Sequence, residues 1–187
     1  MKWYLHTFWL FVPLTAMGAG IERAYNPDTG IETVQVEHPG LSLQLLPLNR
    51  DYVAAVFAAR GLPPDIVAST RNYCAFGTIV RNTGEAPLHY DLTRWRYVTP
   101  DGEMHQLKAK TAWLEEWQGR NLAFRWVLLH EEQTYQPGDW GQGFTTVALP
   151  PGTRFDLHYS WTQGGELYEA ELENVRCAPE TASEADD

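Results

Sequence analysis

Only two cysteines occur in the chain, Cys74 and Cys177, and they lie far apart. No Cys-x-x-Cys spacing exists, which disfavours a dithiol oxidoreductase. Serines are few, and neither Gly-x-Ser-x-Gly nor His-Glu-x-x-His occurs. His130-Glu131-Glu132 opens like a zinc-helix motif but lacks the second histidine. Positive charge is also scarce: 14 Lys and Arg stand against 24 Asp and Glu, a formal net charge of −10. Such a surface repels nucleic acid and anionic lipid headgroups, because binding either depends on neutralising phosphate. No nucleic-acid partner is expected.

Long apolar runs are missing too. The longest, residues 3–17, is broken by His6 and Pro13 and falls short of the roughly 18 residues a spanning helix needs. It follows Met1-Lys2 and precedes Gly18-Ala19-Gly20, the parts of a secretory signal peptide. A signal peptide is therefore expected at 1–20, cleaved after Gly18 or Gly20, with a retained N-terminal anchor as the alternative. No cysteine follows the small residues, so a lipid-modified cysteine is not expected. The protein is expected to be exported, periplasmic or extracellular, with no stable membrane span after cleavage. Loss of Lys2 would take the charge from −10 to −11.

What remains is rich in core-forming residues: 44% of the chain is hydrophobic and 13% aromatic. A single domain is expected over 21–177. Residues 178–187 carry Glu180, Glu184, Asp186 and Asp187 without an aromatic, which predicts a disordered acidic tail. In an oxidising compartment two distant cysteines favour a structural Cys74–Cys177 disulfide. A split metal site or two free thiols are the alternatives.

Residues 22–30 are polar and end in the turn signal Pro27-Asp28-Thr29-Gly30. Two short strands follow, around 33–36 and 41–46, the second with Leu41, Leu43 and Leu45 on one face. An alanine-rich stretch begins at Asp51, suited to an N-cap, with Tyr52, Val56 and Ala59 at helical spacing and Val53 and Phe57 beside them. After Gly61, Pro63-Pro64-Asp65 starts a second short helix toward Asn72. The pair makes a helical insert at about 50–72. From Cys74 the pattern is β: strands are predicted at 74–82, 88–99, 103–107, 124–129, 143–149, 155–162 and 167–177. The alternation of Phe155, Leu157, Tyr159 and Trp161 is the clearest of them. Short strands with turn signals about every ten residues predict a mainly β, antiparallel two-sheet sandwich.

The run from 76 to 87, Phe-Gly-Thr-Ile-Val-Arg-Asn-Thr-Gly-Glu-Ala-Pro, resembles the strand, Asn, turn, Pro opening of immunoglobulin-like domains in exported bacterial envelope proteins. Pro137-Gly138, followed by residues 144–150, is similar to the Pro-Gly, strand, Pro unit of the same domains. The resemblance covers about the last two thirds of the chain. It implies an immunoglobulin-like sandwich and a role in envelope contacts. Cys177, at the very end, and the helical pair depart from that pattern.

Three constellations are candidates for function. His89 and Asp91 share a strand face, and Met104-His105 is the one adjacent Met and His, so these four are the weak metal candidates, copper included. The paired acids Glu115-Glu116 and Glu131-Glu132 point different ways and are read as solvated. Trp113 and Trp117, with Arg120, Asn121, Arg125 and Trp126 close behind, form the third. If helical, the first two stack on one face; if an open loop, they are exposed platforms. Trp140, between glycines, adds a ring on a flexible loop. Exposed tryptophans anchor protein partners or stack on sugars; otherwise they are core. The expectation is a non-enzymatic envelope protein, without a cofactor, that binds a protein partner through Trp113, Trp117, Arg120, Asn121, Trp126 and Trp140. A carbohydrate-binding module and a copper chaperone are the alternatives.

Overall fold

A computed structural model describes residues 20–117 and 127–180. Alternating apolar residues draw the chain into two facing antiparallel sheets. It opens with β1 (Gly20–Asn26), β2 (Ile31–His38) and β3 (Leu41–Leu48). Two short helices, α1 (Arg50–Ala59) and α2 (Pro64–Thr70), separate these from β4 (Cys74–Asn82). Next come β5 (Leu88–Asp91), a 3₁₀ turn at Leu92–Arg94, β6 (Arg96–Val98) and β7 (Met104–Gln106). Helix α3 (Lys110–Glu116), β8 (Glu132–Tyr135), β9 (Trp140–Val147) and the long hairpin β10 (Arg154–Gln163) and β11 (Glu166–Arg176) complete it. The first sheet runs β1-β2-β3-β4-β9 and the second β7-β6-β10-β5-β8, with β11 on the far side of β10. The fold is a mainly β sandwich with three short helices, as the strand pattern implied.

Val34, Val36, Leu41, Leu43, Leu45, Phe76 and Val80 of the first sheet meet Tyr90, Trp95, Tyr97, Phe155, Leu157, Tyr159 and Trp161 of the second in the main core. Cys74 and Cys177 are bridged within it, Cα atoms 5.7 Å apart. Helices α1 and α3 pack on the opposite face of the first sheet around a smaller core.

Several predicted boundaries move. β1 forms where the sequence predicts polar coil and turn, and all seven of its residues are exposed. Alternation reports a strand only where one face is buried, so a fully exposed strand leaves no such trace. β8 goes unpredicted for the same reason, since only its Tyr135 is buried. The strand predicted at 88–99 is two strands: β10 pairs Trp161 with Tyr90 but His158 with Arg96, leaving Leu92, Thr93 and Arg94 in excess. The Asp91 carboxylate accepts hydrogen bonds from the Thr93 backbone N–H (2.8 Å) and hydroxyl (2.6 Å), capping that turn. Asn49, not Asp51, caps α1: its side chain accepts from the Asp51 N–H, and Asp51 pairs instead with Arg71 at 2.7 Å. Of the strand predicted at 124–129, residues 124–126 lie outside the described residues, and Leu128 makes only an isolated bridge to Phe144. The signal peptide lies outside the described residues except for Gly20, which begins β1. Ala178 and Pro179, assigned to the tail, are buried, and Gly152 N–H donates to the Ala178 carbonyl at 3.2 Å. Residues 181–187 lie outside the described residues.

One contact is expected to make the sandwich pH-sensitive. His38 Nε2 lies 2.5 Å from the Tyr159 hydroxyl, and its ring packs on Trp161 at 4.8 Å between centroids. Burial lowers the His38 pKa below its ordinary value, partly offset by the neighbouring Glu37 carboxylate. The folded state therefore resists the proton that the unfolded chain accepts below about pH 6.5. The stability contributed by neutral His38 is present above that pH and is lost as pH falls through the folded-state pKa. NMR titration should place the imidazole below the usual histidine range. The melting temperature should fall over the same window in the native protein more than in His38→Gln.

Candidate functional site

Trp113 on α3 and Trp117 at its C-cap sit one turn apart with ring centroids 5.2 Å apart, the helical alternative of the two open to the sequence. They face inward: Trp113 is 1% and Trp117 4% exposed. The Trp113 indole N–H donates to the Thr146 hydroxyl at 2.9 Å, and Trp117 packs edge-on against Phe57. Lys108 Nζ lies 3.7 Å from the Trp113 ring centroid, donates to the Tyr73 hydroxyl at 3.1 Å and pairs with Glu116. A desolvated ammonium over an indole face is a favourable contact. These rings fasten α3 to the sheet and are not platforms for a sugar or a partner. Arg120, Asn121, Arg125 and Trp126 lie outside the described residues.

Trp140 is the exposed one, at 50%. It is not on a loop: it begins β9, opposite Arg81, whose guanidinium stands 5.9 Å from the ring centroid. The metal candidates do not converge. His89 is hydrogen-bonded to Thr134 and approaches Glu132, Asp91 caps the 3₁₀ turn, His105 stacks on Tyr97 near Glu103, and Met104 is exposed. Among the described residues no three His, Cys, Asp or Glu gather as a metal site would require.

Two features lie outside the sequence expectations. The first is a free edge. β1 pairs with β2 alone, and no described strand covers its other side. Its Ile21, Arg23 and Tyr25 lie on the inner face, since Ile21 and Arg23 pair with the buried Val36 and Val34. Yet Ile21 and Tyr25 are about half exposed. Arg23 closes the gap at one point, donating to the carbonyls of Glu173 (2.6 Å) and Asn174 (3.2 Å) and pairing with Glu32 at 2.8 Å. There β11 bulges, with Asn174 in the left-handed region at φ 58°.

The second is a groove of about 540 Å³ between α1 and the outer face of the first sheet. α1 buries Val53, Ala54 and Phe57, and Tyr52, Val56 and Arg60 line the groove, Val56 also packing against the small core. Leu46, Ile79 and Phe144 form its floor. A signal was present: Leu45-Leu46 interrupts the alternation of β3, placing a leucine on the face that should be polar.

A shallower, polar concavity of about 570 Å³ lies on the outer face of the second sheet, where Arg94, Arg96 and His158 oppose Glu169 and Glu171. Arg96 is engaged by the Trp95 carbonyl at 2.8 Å, and His158 lies 3.6 Å from Glu171.

No family model matches the chain, and no curated protein matches it in sequence. Among solved structures it is similar to a "putative lipoprotein (ycdA)" from Bacillus subtilis, at 14% identity and a TM-score of 0.35. That likeness covers 54% of this chain and 28% of the other. The chain thus spans little more than a quarter of that protein's length. Among the described residues no helix is long and apolar enough to cross a membrane.

Proposed function

We propose that this is an exported, non-enzymatic binding or accessory protein of the cell envelope that engages a protein partner along β1. The single observation behind this is the free edge: seven exposed residues, paired on one side only among the described residues, beside the exposed side chains of Ile21 and Tyr25. Proteins ordinarily blunt such edges with proline, lysine, a bulge or an inward-pointing charge; β1 has no proline, lysine or bulge, and its one inward charge is Arg23. Its one cation, Arg23, is turned onto β11. An edge left open in this way offers main-chain hydrogen bonds to an added strand and pockets for alternate side chains. The Cys74–Cys177 bridge supports export to a periplasmic or extracellular setting, and the strand-Asn-turn-Pro unit at 76–87 supports immunoglobulin-like kinship. Glycan stacking retains Trp140 as the exposed tryptophan among the described residues, in place of the expected cluster.

A photo-crosslinking amino acid at Ala24, on the outward face of β1, should trap a discrete protein adduct in envelope extracts. The same residue at Glu85, on the turn after β4, should not. Equal or absent labelling from both positions would remove β1 as the contact.

A further inference from the structure

We propose that the groove under α1 is a binding site for a long-chain carboxylate of the fatty-acid class, its chain lying on the first sheet and its head group on Arg60. Three observations converge.

The first is a missing side chain. Leu46, Gly77 and Phe144 stand opposite one another across β3, β4 and β9, so a glycine interrupts an apolar row in the middle of the sheet. Glycine weakens a strand interior, and it persists where backbone geometry or a close neighbour requires it. Neither applies to Gly77, which is not among the positive-φ residues and whose added Cβ would meet nothing closer than 3.8 Å. Gly143, beside it in the groove, differs: there a Cβ would fall 2.3 Å from the Leu129 nitrogen. The notch at Gly77 would take a side chain in ordinary contact with Leu46 and Leu48, so the glycine is not required by crowding.

The second is charge. Arg60 is the one charged residue lining the groove, in a chain of net charge −10. Its guanidinium makes no ion pair with any described residue. The acids that dominate the surface are absent from this wall, and one unpaired cation at the rim complements one anion.

The third is the floor's backbone: the strand amides beneath the Leu46–Gly77–Phe144 row are already engaged, and the polar side chains Gln44 and Gln142 stand only in the neighbouring row. The backbones of β3, β4 and β9 are paired with one another along their length. An extended peptide laid along that row would find no free strand amide beneath it, at the cost of burying its own groups unpaired by backbone. An acyl chain carries none. The volume falls within the range of small-molecule sites.

The test uses the full chain and a dansylated undecanoate probe, displaced by palmitate. Palmitate should compete and acetate should not. Arg60→Gln should weaken palmitate about tenfold, near 1.4 kcal/mol, while changing competition by uncharged hexadecanol little. Gly77→Val should abolish displacement yet raise the melting temperature, because a β-branched residue suits a strand better than glycine. Loss of binding in that variant is then separable from unfolding. The assignment is overturned if palmitate fails to compete, if both variants bind like the native protein, or if only an amphipathic helical peptide displaces the probe. Neither substitution touches β1, so the outcome is independent of the edge contact.

Discussion

A chain carrying Cys74→Ala and Cys177→Ala is expected to melt about 10 °C or more below the bridged protein while keeping its β-rich circular dichroism. The bridge spans 103 residues. Closing a loop of that size removes about 4–5 kcal/mol of unfolded-state entropy in the chain-entropy model. For a domain of this length each kcal/mol corresponds to roughly 2–4 °C. The fold should survive, because both positions are enclosed by the main core and alanine fits there without burying a polar group. Thermal melts of the two proteins, with mass spectrometry to verify the native bridge, give the comparison. A difference under about 2 °C would mean that the unbridged chain is already restrained, contrary to the loop-closure account.

Asn82 carries the second large effect. It is buried at the end of β4, and its amide nitrogen donates to the carbonyls of Ala86 (2.9 Å) and Tyr135 (3.0 Å). Its side-chain oxygen accepts from the Gly84 N–H at 2.9 Å. Its backbone carbonyl accepts from the Gly138 N–H at 3.1 Å, and its backbone N–H donates to the Asp139 carbonyl at 2.9 Å. One side chain therefore ties the turn after β4 to the end of β8, linking the two sheets at one end of the sandwich. Asn82→Ala withdraws a partner from three backbone groups, of which the Ala86 carbonyl keeps the Gln163 amide. Each group left dry and unpaired costs about 1–3 kcal/mol. Denaturant titration should show a loss of about 3 kcal/mol. Asn82→Asp should be no better, since it removes both donors and sets a carboxylate against two carbonyl oxygens. If alanine is tolerated within about 0.5 kcal/mol, water has replaced the side chain.

Much of this was legible beforehand, and the gaps have causes. Strands with one buried face, such as β10, announce themselves through Phe155, Leu157, Tyr159 and Trp161. Asn82 stood out as the residue ending a strand before a turn and a proline, although its buried network was not visible. β1 and β8 were not legible, because exposed strands have no apolar period. The tryptophans misled for a related reason: composition says how many rings exist, and only packing says which way they face. Trp113 and Trp117 are drawn inward beside Phe57, Val127 and Leu128 of the small core, whereas Trp140 at the start of β9 is half exposed. The groove left a fainter mark, in Leu46 and Ile79 on the outward positions of otherwise regular strands.

The disulfide also sets an order of events. Cys177 follows the last residue of β11, and Cys74 begins an inner strand of the opposite sheet. A chain delivered from its N-terminus presents the first thiol more than a hundred residues before its partner. Until the last strand arrives, Cys74 has no thiol of its own chain to pair with. Closure is then a record of completion: a truncated chain keeps a reactive sulfur on display, and a finished one hides it.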